Sequence, residues 1–207
     1  MKQLLILSGK GGTGKTTIAS AFIRLSDAKA YADCDVDAPN MHLVMEQSTI
    51  PEKKDYYGLP KAEINQELCL KCDQCRENCR FDAIHKKEQY KVDAFACEGC
   101  GVCEAVCPAN AITLKPAISG EVTLHLDNDK VFSTAELKMG NGTSGKLVTE
   151  VKKQMILAAK GRKMSIIDGS PGIGCPVISS LSGVNMVLIV VEPSISGMND
   201  MERIIKN

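Results

Sequence analysis

Eight of the ten cysteines lie between Cys69 and Cys107, and their spacing is that of a metal-binding segment. Cys69, Cys72, Cys75 and Cys79 read C-x2-C-x2-C-x3-C; Cys97, Cys100, Cys103 and Cys107 repeat the run at one constant offset and add Pro108. Three thiolates on one tight loop can cap three corners of an iron–sulfur cubane, and the fourth corner needs a thiolate from elsewhere. The duplicated half supplies it. "DAI" (Asp82–Ile84) and "NAI" (Asn110–Ile112) keep the same offset, so the block is an internal duplication. Zinc is the competing metal, but structural zinc sites usually join C-x2-C pairs across a longer gap.

A second stretch reads phosphate chemistry. Gly9 to Thr16 fits G-x-x-x-x-G-K-[ST], with Thr13 inside the loop and Thr17 following it. Backbone N–H groups of such a turn, with the positive end of the next helix, bind anionic phosphate. Gly11, Gly12 and Gly14 let the backbone close on a ligand. Lys15 is expected to reach the β- and γ-phosphates of a nucleotide, and Thr16 to ligate magnesium. Two acidic segments join it: "DCDVDAPN" (Asp33–Asn40) and "IIDGSPGIG" (Ile166–Gly174). Asp168 is the magnesium candidate. Asp33, Asp35 and Asp37 are candidates to hold magnesium or orient a water, with Asp35 as the water-positioning residue. An idle glycine turn beside solvated acids is the bland reading.

These residues must sit at the carboxyl ends of strands, and the pattern provides the strands. Leu4–Leu7 reads as a buried parallel strand, Thr16–Ser26 as its helix and Ala28–Ala32 as a second strand. Val122–Leu126 and Lys130–Phe132 flank Asp127-Asn128-Asp129 as a hairpin. Lys138–Lys146 reads as a flexible loop, with Thr143 or Ser144 capping a helix that runs to about Lys160 and stops at Gly161. Met164–Ile167 and Val184–Val191 complete the strands. The fold class is α/β, a mostly parallel sheet, with a small α+β iron–sulfur insert. The expected division is 1–61 and 116–207 for the first domain and 62–115 for the insert. The last residues read as the start of a helix, so a C-terminally shortened domain is expected.

Composition limits the function classes. Lys plus Arg equals Asp plus Glu at 25 each, so no broad basic footprint for nucleic acid exists. Aromatic residues make up 4% with no Trp, leaving few platforms for base stacking. The apolar stretch at the amino terminus, Leu4 to Leu7, is too short for a secretory signal. No apolar run is long enough to span a bilayer as a helix. Many cysteines without an export signal point to metal and a cytoplasmic setting.

"GKGGTGKTT", with Lys10 directly after the first glycine, resembles the deviant phosphate loop of the MinD/ParA/Mrp ATPases, a group that includes the nitrogenase iron protein. "DCDVDAPN" resembles their first switch, "DGSPGIG" their second, and "VVEPSISGMNDMERI" the strand-to-helix segment that follows. The cysteine block resembles the bacterial two-cluster ferredoxin run, in which the fourth cysteine serves the other cluster. Together they are similar to MinD-type ATPases carrying an inserted ferredoxin domain. The resemblance implies ATP or ADP with Mg2+, and two 4Fe–4S clusters. One takes Cys69, Cys72, Cys75 and Cys107, the other Cys97, Cys100, Cys103 and Cys79. It implies that Lys10 reaches across a homodimer, or a dimer with a close paralogue, to the partner's nucleotide. Arg80 departs from the ferredoxin run, which has proline there.

The function implied is ATP hydrolysis coupled to electron transfer toward an unknown redox or client protein. Alternatives are an ATP-gated carrier for iron–sulfur or metal sites, a positioning ATPase of the MinD or ParA kind, and a ferredoxin with an idle ATPase shell. Membrane attachment is not decided by the sequence. Cys34 reads as a packed small residue. Cys175 reads either as a small residue near a dimer interface or, by resemblance to the nitrogenase iron protein, as a ligand of a bridging cluster.

Overall fold

The computed structural model describes residues 1–127 and 129–206, so Asn128, inside the expected hairpin turn, lies outside the described residues. The chain forms two compact units. The first comprises Met1–Tyr56, Gly120–Leu137 and Ser144–Asn207; the second comprises Tyr57–Ser119 and Lys138–Thr143.

The first unit is built on β1 (Lys2–Ser8), whose sequence KQLLILS is apolar on both faces. Strand side chains alternate, so Leu5 and Leu7 enter one hydrophobic cluster while Leu4 and Ile6 enter the other. A strand buried on both faces needs helices on both sides. Helix α1 (Lys15–Leu25) supplies Ala19 and Ile23 to the Leu4 side. Helix α5 (Ser144–Ala158) supplies Leu147, Val148, Val151 and Met155 to the Leu5 side. The other strands are β2 (Ala30–Asp33), β3 (Glu52–Tyr57), β8 (Ile118–Asp127), β9 (Lys130–Leu137), β10 (Met164–Asp168) and β11 (Met186–Val190), numbered along the chain. The sheet order is β11-β1-β10-β2-β9-β8-β3. Pairing is parallel from β11 through β9, and β9 meets β8 antiparallel.

The mostly parallel α/β expectation therefore holds. Its hairpin strands are longer than expected, because β8 is only half-buried and its polar residues interrupt the apolar pattern. The capping expectation for Thr143 fails: its Oγ1 is buried without a partner. That hydroxyl packs beside Gly58, where a Cβ would lie 2.8 Å from it, so tertiary packing has claimed the side chain. Three further helices complete the unit: α2 (Met41–Val44), α6 (Cys175–Leu181) and α7 (Ile195–Ile205). Buried Lys152 of α5 donates to the carbonyls of Ser180 and Ser182, both at 2.6 Å, satisfying the open end of α6.

The second unit pairs β4 (Lys61–Ile64) with β7 (Ile112–Lys115), and β5 (Ile84–Lys86) with β6 (Tyr90–Val92), both antiparallel. Its helical turns α3 (Gln74–Glu77) and α4 (Val102–Ala105) keep the offset of the cysteine repeat. So do its left-handed residues: Lys71 with Gly99, Asp73 with Gly101, Asp82 with Asn110. The second repeat meets two of these positions with glycine, and the first with Lys and Asp at a conformational cost. Among the described residues, no helix is long and apolar enough to cross a membrane.

Candidate functional sites: a phosphate loop and two cysteine-lined cavities

Parallel register brings the first site together. Ile6 of β1 pairs with Asp168 of β10, and Asp168 pairs with Asp33 of β2, so both acids stand at carboxyl strand ends beside the loop that leaves β1. This is the crevice where open α/β sheets bind ligands. Gly12 and Gly14 take φ of 80° and 86°, which glycine adopts without strain. A Cβ at Gly11, Gly12 or Gly14 would meet nothing within 4 Å, so the inside of the loop is open. Ser8 Oγ braces the loop by donating to the Lys10 carbonyl at 2.8 Å.

Within that loop Lys15 is buried, and its Nζ lies 2.5 Å from Asp168 Oδ1. Thr16 Oγ1 donates to Asp168 Oδ2 at 2.6 Å. One carboxylate thus holds the two groups expected to meet phosphate and magnesium. Thr13 Oγ1 is buried without a partner. An open loop, an orphaned hydroxyl and an ammonium at a helix start fit a nucleotide's phosphates. Gly9 and Thr17 flank the loop. Gly9 packs against Asp200 of α7, whose side chain a Cβ there would strike; Thr17 is exposed.

The first switch separates its acids. Asp33 is fully buried and accepts backbone N–H bonds from Asp35, Asn40 and Met41 at 2.9–3.0 Å, so it braces the turn into α2. Asp35 is half-buried, and burial raises its carboxyl pKa to about 6, partly offset by the Lys15 charge. Asp37 is exposed. The second switch is tied to the sheet: Ser170 Oγ donates to the Cys34 carbonyl at 2.5 Å and Gly172 N–H to the Ser8 carbonyl at 3.0 Å. Cys34 is fully buried, as the packed reading requires, and Cys175 is exposed at the start of α6.

Lys10 is held within its own chain by an ion pair with Glu192, and Asp200 adds a second favourable charge. Neither acid stood out in the sequence. Both lie in the segment after β11, at the opposite end of the chain from Lys10, and only the parallel sheet brings them back to the loop.

The second site is a pair of small cavities in the second unit. Cys69, Cys72, Cys75 and Cys107 line one; Cys79, Cys97, Cys100 and Cys103 line the other. Each cavity takes three thiols from one repeat and the fourth from the other. Among the described residues no three His, Cys, Asp or Glu side chains converge as the ligands of one metal ion do, so the four thiols of each cavity fit a multi-iron cluster, one thiol to each iron, better than a single zinc ion. The linings differ: Lys71, Asp73 and Tyr90 border the first, Phe81, Val92 and Leu114 the second. The Ala111 N–H points to Cys107 Sγ at 3.3 Å. Arg80 is exposed, and the proline it replaces is not needed to bring Cys79 to its cavity.

Fold and sites together define a phosphate-loop α/β fold like that of McdA, carrying an inserted iron–sulfur domain. The model for a 4Fe-4S dicluster domain matches residues 62–114. The McdA–ATP complex of Cyanothece matches with a TM-score of 0.50 at 17% identity, over 100% of this chain and 62% of that one. The chain thus spans less than two thirds of that structure. It is 36% identical over 211 residues to uncharacterized protein MJ0578 of Methanocaldococcus jannaschii, covering 99% of this chain and 72% of that protein. A second protein of that organism, MJ0579, is 27% identical over 213 residues, covering 100% and 76%. The chain belongs to the family of MJ0578.

Proposed function

We propose that the chain binds and hydrolyses ATP as a dimer and couples that switch to electron transfer through two 4Fe–4S clusters. The observation that carries this reading is the crossed sharing of cysteines between two equal cavities, in a chain that also keeps an open phosphate loop. Bound clusters supply one-electron redox chemistry, with potentials set by charge, hydrogen bonds to sulfur and exposure. Cys69, Cys72, Cys75 and Cys107 would hold one, and Cys79, Cys97, Cys100 and Cys103 the other.

At the nucleotide site Lys15 and the start of α1 neutralise phosphate charge, while Thr16 and Asp168 offer oxygens to magnesium. Lys15 exchanges its bond to Asp168 for phosphate oxygens. Asp35, with its carboxyl pKa raised to about 6, suits orienting a water and accepting its proton. Lys10, once free of Glu192, stabilises charge on the partner's nucleotide in trans.

The test is EPR of the full chain, prepared anaerobically and reduced, with and without MgATP. Two interacting 4Fe–4S signals that shift with MgATP are expected. Signals indifferent to MgATP in a protein that hydrolyses it would remove the coupling, and no cluster signal after reconstitution would remove the redox role.

A further inference from the structure

The duplication that builds the second unit also provides an internal comparison, because each cysteine loop shows what the other could have been. At equal places in the repeat stand Leu70 and Glu98, Lys71 and Gly99, Asp73 and Gly101, Arg76 and Glu104. The cysteine spacing is the same; the charges are not.

Two of these differences are held against a backbone preference. Lys71 and Asp73 take φ of 56° and 69°, the left-handed conformation that Gly99 and Gly101 adopt at 60° and 82°. A side chain other than glycine costs about 1–2 kcal/mol there. Strain retained at a site points to a use for the side chain.

Lys71 and Asp73 both line the cavity of Cys69, Cys72, Cys75 and Cys107. Arg76 donates to both oxygens of Asp73, at 2.6 and 2.7 Å. Lys86 lies 3.7 Å from the same carboxylate and over the ring of Tyr90, which lines this cavity too. Lys71, Arg76 and Lys86 thus outnumber Asp73 and the exposed Glu77. The Ala111 N–H adds a partial positive charge at Cys107 Sγ.

The other cavity is lined by Glu98 among the apolar side chains of Phe81, Val92, Val102 and Leu114. Glu104 stands beside it, accepting the Leu114 N–H at 3.3 Å. Its cations are Lys61, whose Nζ donates to the Cys97 carbonyl at 2.6 Å, and the exposed Arg80 next to Cys79. They match the two carboxylates without exceeding them. The first surroundings are therefore net positive, and the second are neutral and more apolar.

A cubane held by four thiolates is an anion, and an added electron makes it more negative. Neighbouring positive charge and hydrogen bonds to sulfur favour that electron. An apolar wall disfavours it, because burial penalises the more highly charged state. All three differences act in one direction.

We infer that the cavity of Cys69, Cys72, Cys75 and Cys107 takes an electron before that of Cys79, Cys97, Cys100 and Cys103, and that Lys71 with the Asp73–Arg76–Lys86 group sets this order. The inference rests on the cluster reading proposed above, and not on its link to ATP. The step takes one electron from a one-electron donor, with no bond made or broken. A single electron held by the chain rests on the Lys71 side.

The experiment is a redox titration of the cluster-loaded full chain, prepared anaerobically, with dithionite as reductant and EPR as the readout. Two midpoint potentials are expected. Lys71→Gly puts into the first loop the residue the second already carries, so the backbone is relieved and the charge is lost. It should lower the higher potential and narrow the gap by about threefold to tenfold in the reduction equilibrium, tenfold being about 59 mV for one electron. Glu98→Gln should raise the lower potential and narrow the gap from the other side. Lys71→Arg should keep the parent's gap. A gap that widens in Lys71→Gly or Glu98→Gln would reverse the order, and a gap that Lys71→Gly leaves unchanged would remove the lysine from it. Either result, or one shared potential in the parent, overturns the inference while two clusters remain in place. Absence of 4Fe–4S signals would overturn the cluster reading itself, and this inference with it.

Discussion

Replacing Asp168 by asparagine keeps shape and hydrogen bonding but removes the charge that neutralises Lys15. The pair is 2.5 Å long, with side chains 7% and 0% exposed, so water cannot take over as partner. Breaking a buried ion pair from one side costs about 3–5 kcal/mol. At roughly 2–4 °C per kcal/mol for a unit of this size, the nucleotide-free D168N protein should unfold about 6–20 °C below the parent. A nucleotide changes the comparison. In the parent, phosphate must replace Asp168 at Lys15 and approach a carboxylate; in D168N it meets an unpaired ammonium. Ligand-linked stabilisation should therefore be larger in the variant. The assay is anaerobic scanning calorimetry of both proteins with and without ADP, in EDTA so that lost magnesium binding does not enter. An ADP increment in D168N no larger than the parent's would refute the reasoning, as would nucleotide-free transitions within about 1 °C of each other.

Glu192→Gln releases Lys10, so MgATP-dependent dimers should form at lower protein concentration than in the parent; Lys10→Ala should form none, read by sedimentation velocity. The crossed cavities make a sharp forecast for cysteine pairs. Cys69→Ser with Cys107→Ser should lose roughly half the iron, and Cys69→Ser with Cys79→Ser nearly all of it, by iron analysis and EPR; equal losses would remove the crossing. Asp35 has its pKa raised to about 6, so its carboxyl is protonated below that pH and ionised above it. ATP hydrolysis should therefore rise as pH passes upward through about 6, and Asp35→Asn should abolish that step in a stopped assay of phosphate release; an unchanged step would assign it to another group.

What could be read early was whatever a short stretch specifies by itself. The LLIL run of β1 is buried on both faces, so its strand needs no partner to be recognised. The constant offset between the repeats carried the cysteine pattern, and the helical turns and left-handed positions follow the same offset. Less was legible where tertiary contact decides. Strand β3 reads EKKDYY, with only Tyr56 buried, and nothing local marks it as part of the sheet. Asp33, Asp35 and Asp37 look equivalent in sequence. Burial separates them, giving Asp33 three backbone N–H partners and Asp35 a raised carboxyl.

The two lysines of the phosphate loop meet the same kind of partner. Lys15 rests on Asp168 at the end of β10, and Lys10 on Glu192 just past β11, the strands on either side of β1. Each carboxylate stands where phosphate is expected to compete for the ammonium. Asp168 is desolvated, so displacing it is costly unless the incoming charge is held as well as the carboxylate was, which selects for a phosphate fully seated in the loop. Glu192 is half-exposed, so the trans contact proposed for Lys10 would have only a weak ion pair to displace. Under the mechanism we propose, the order of events follows from that inequality. The proximal lysine responds to the chain's own nucleotide first. The distal one stays on its own chain until a second nucleotide-loaded copy offers more charge than Glu192 and Asp200 together.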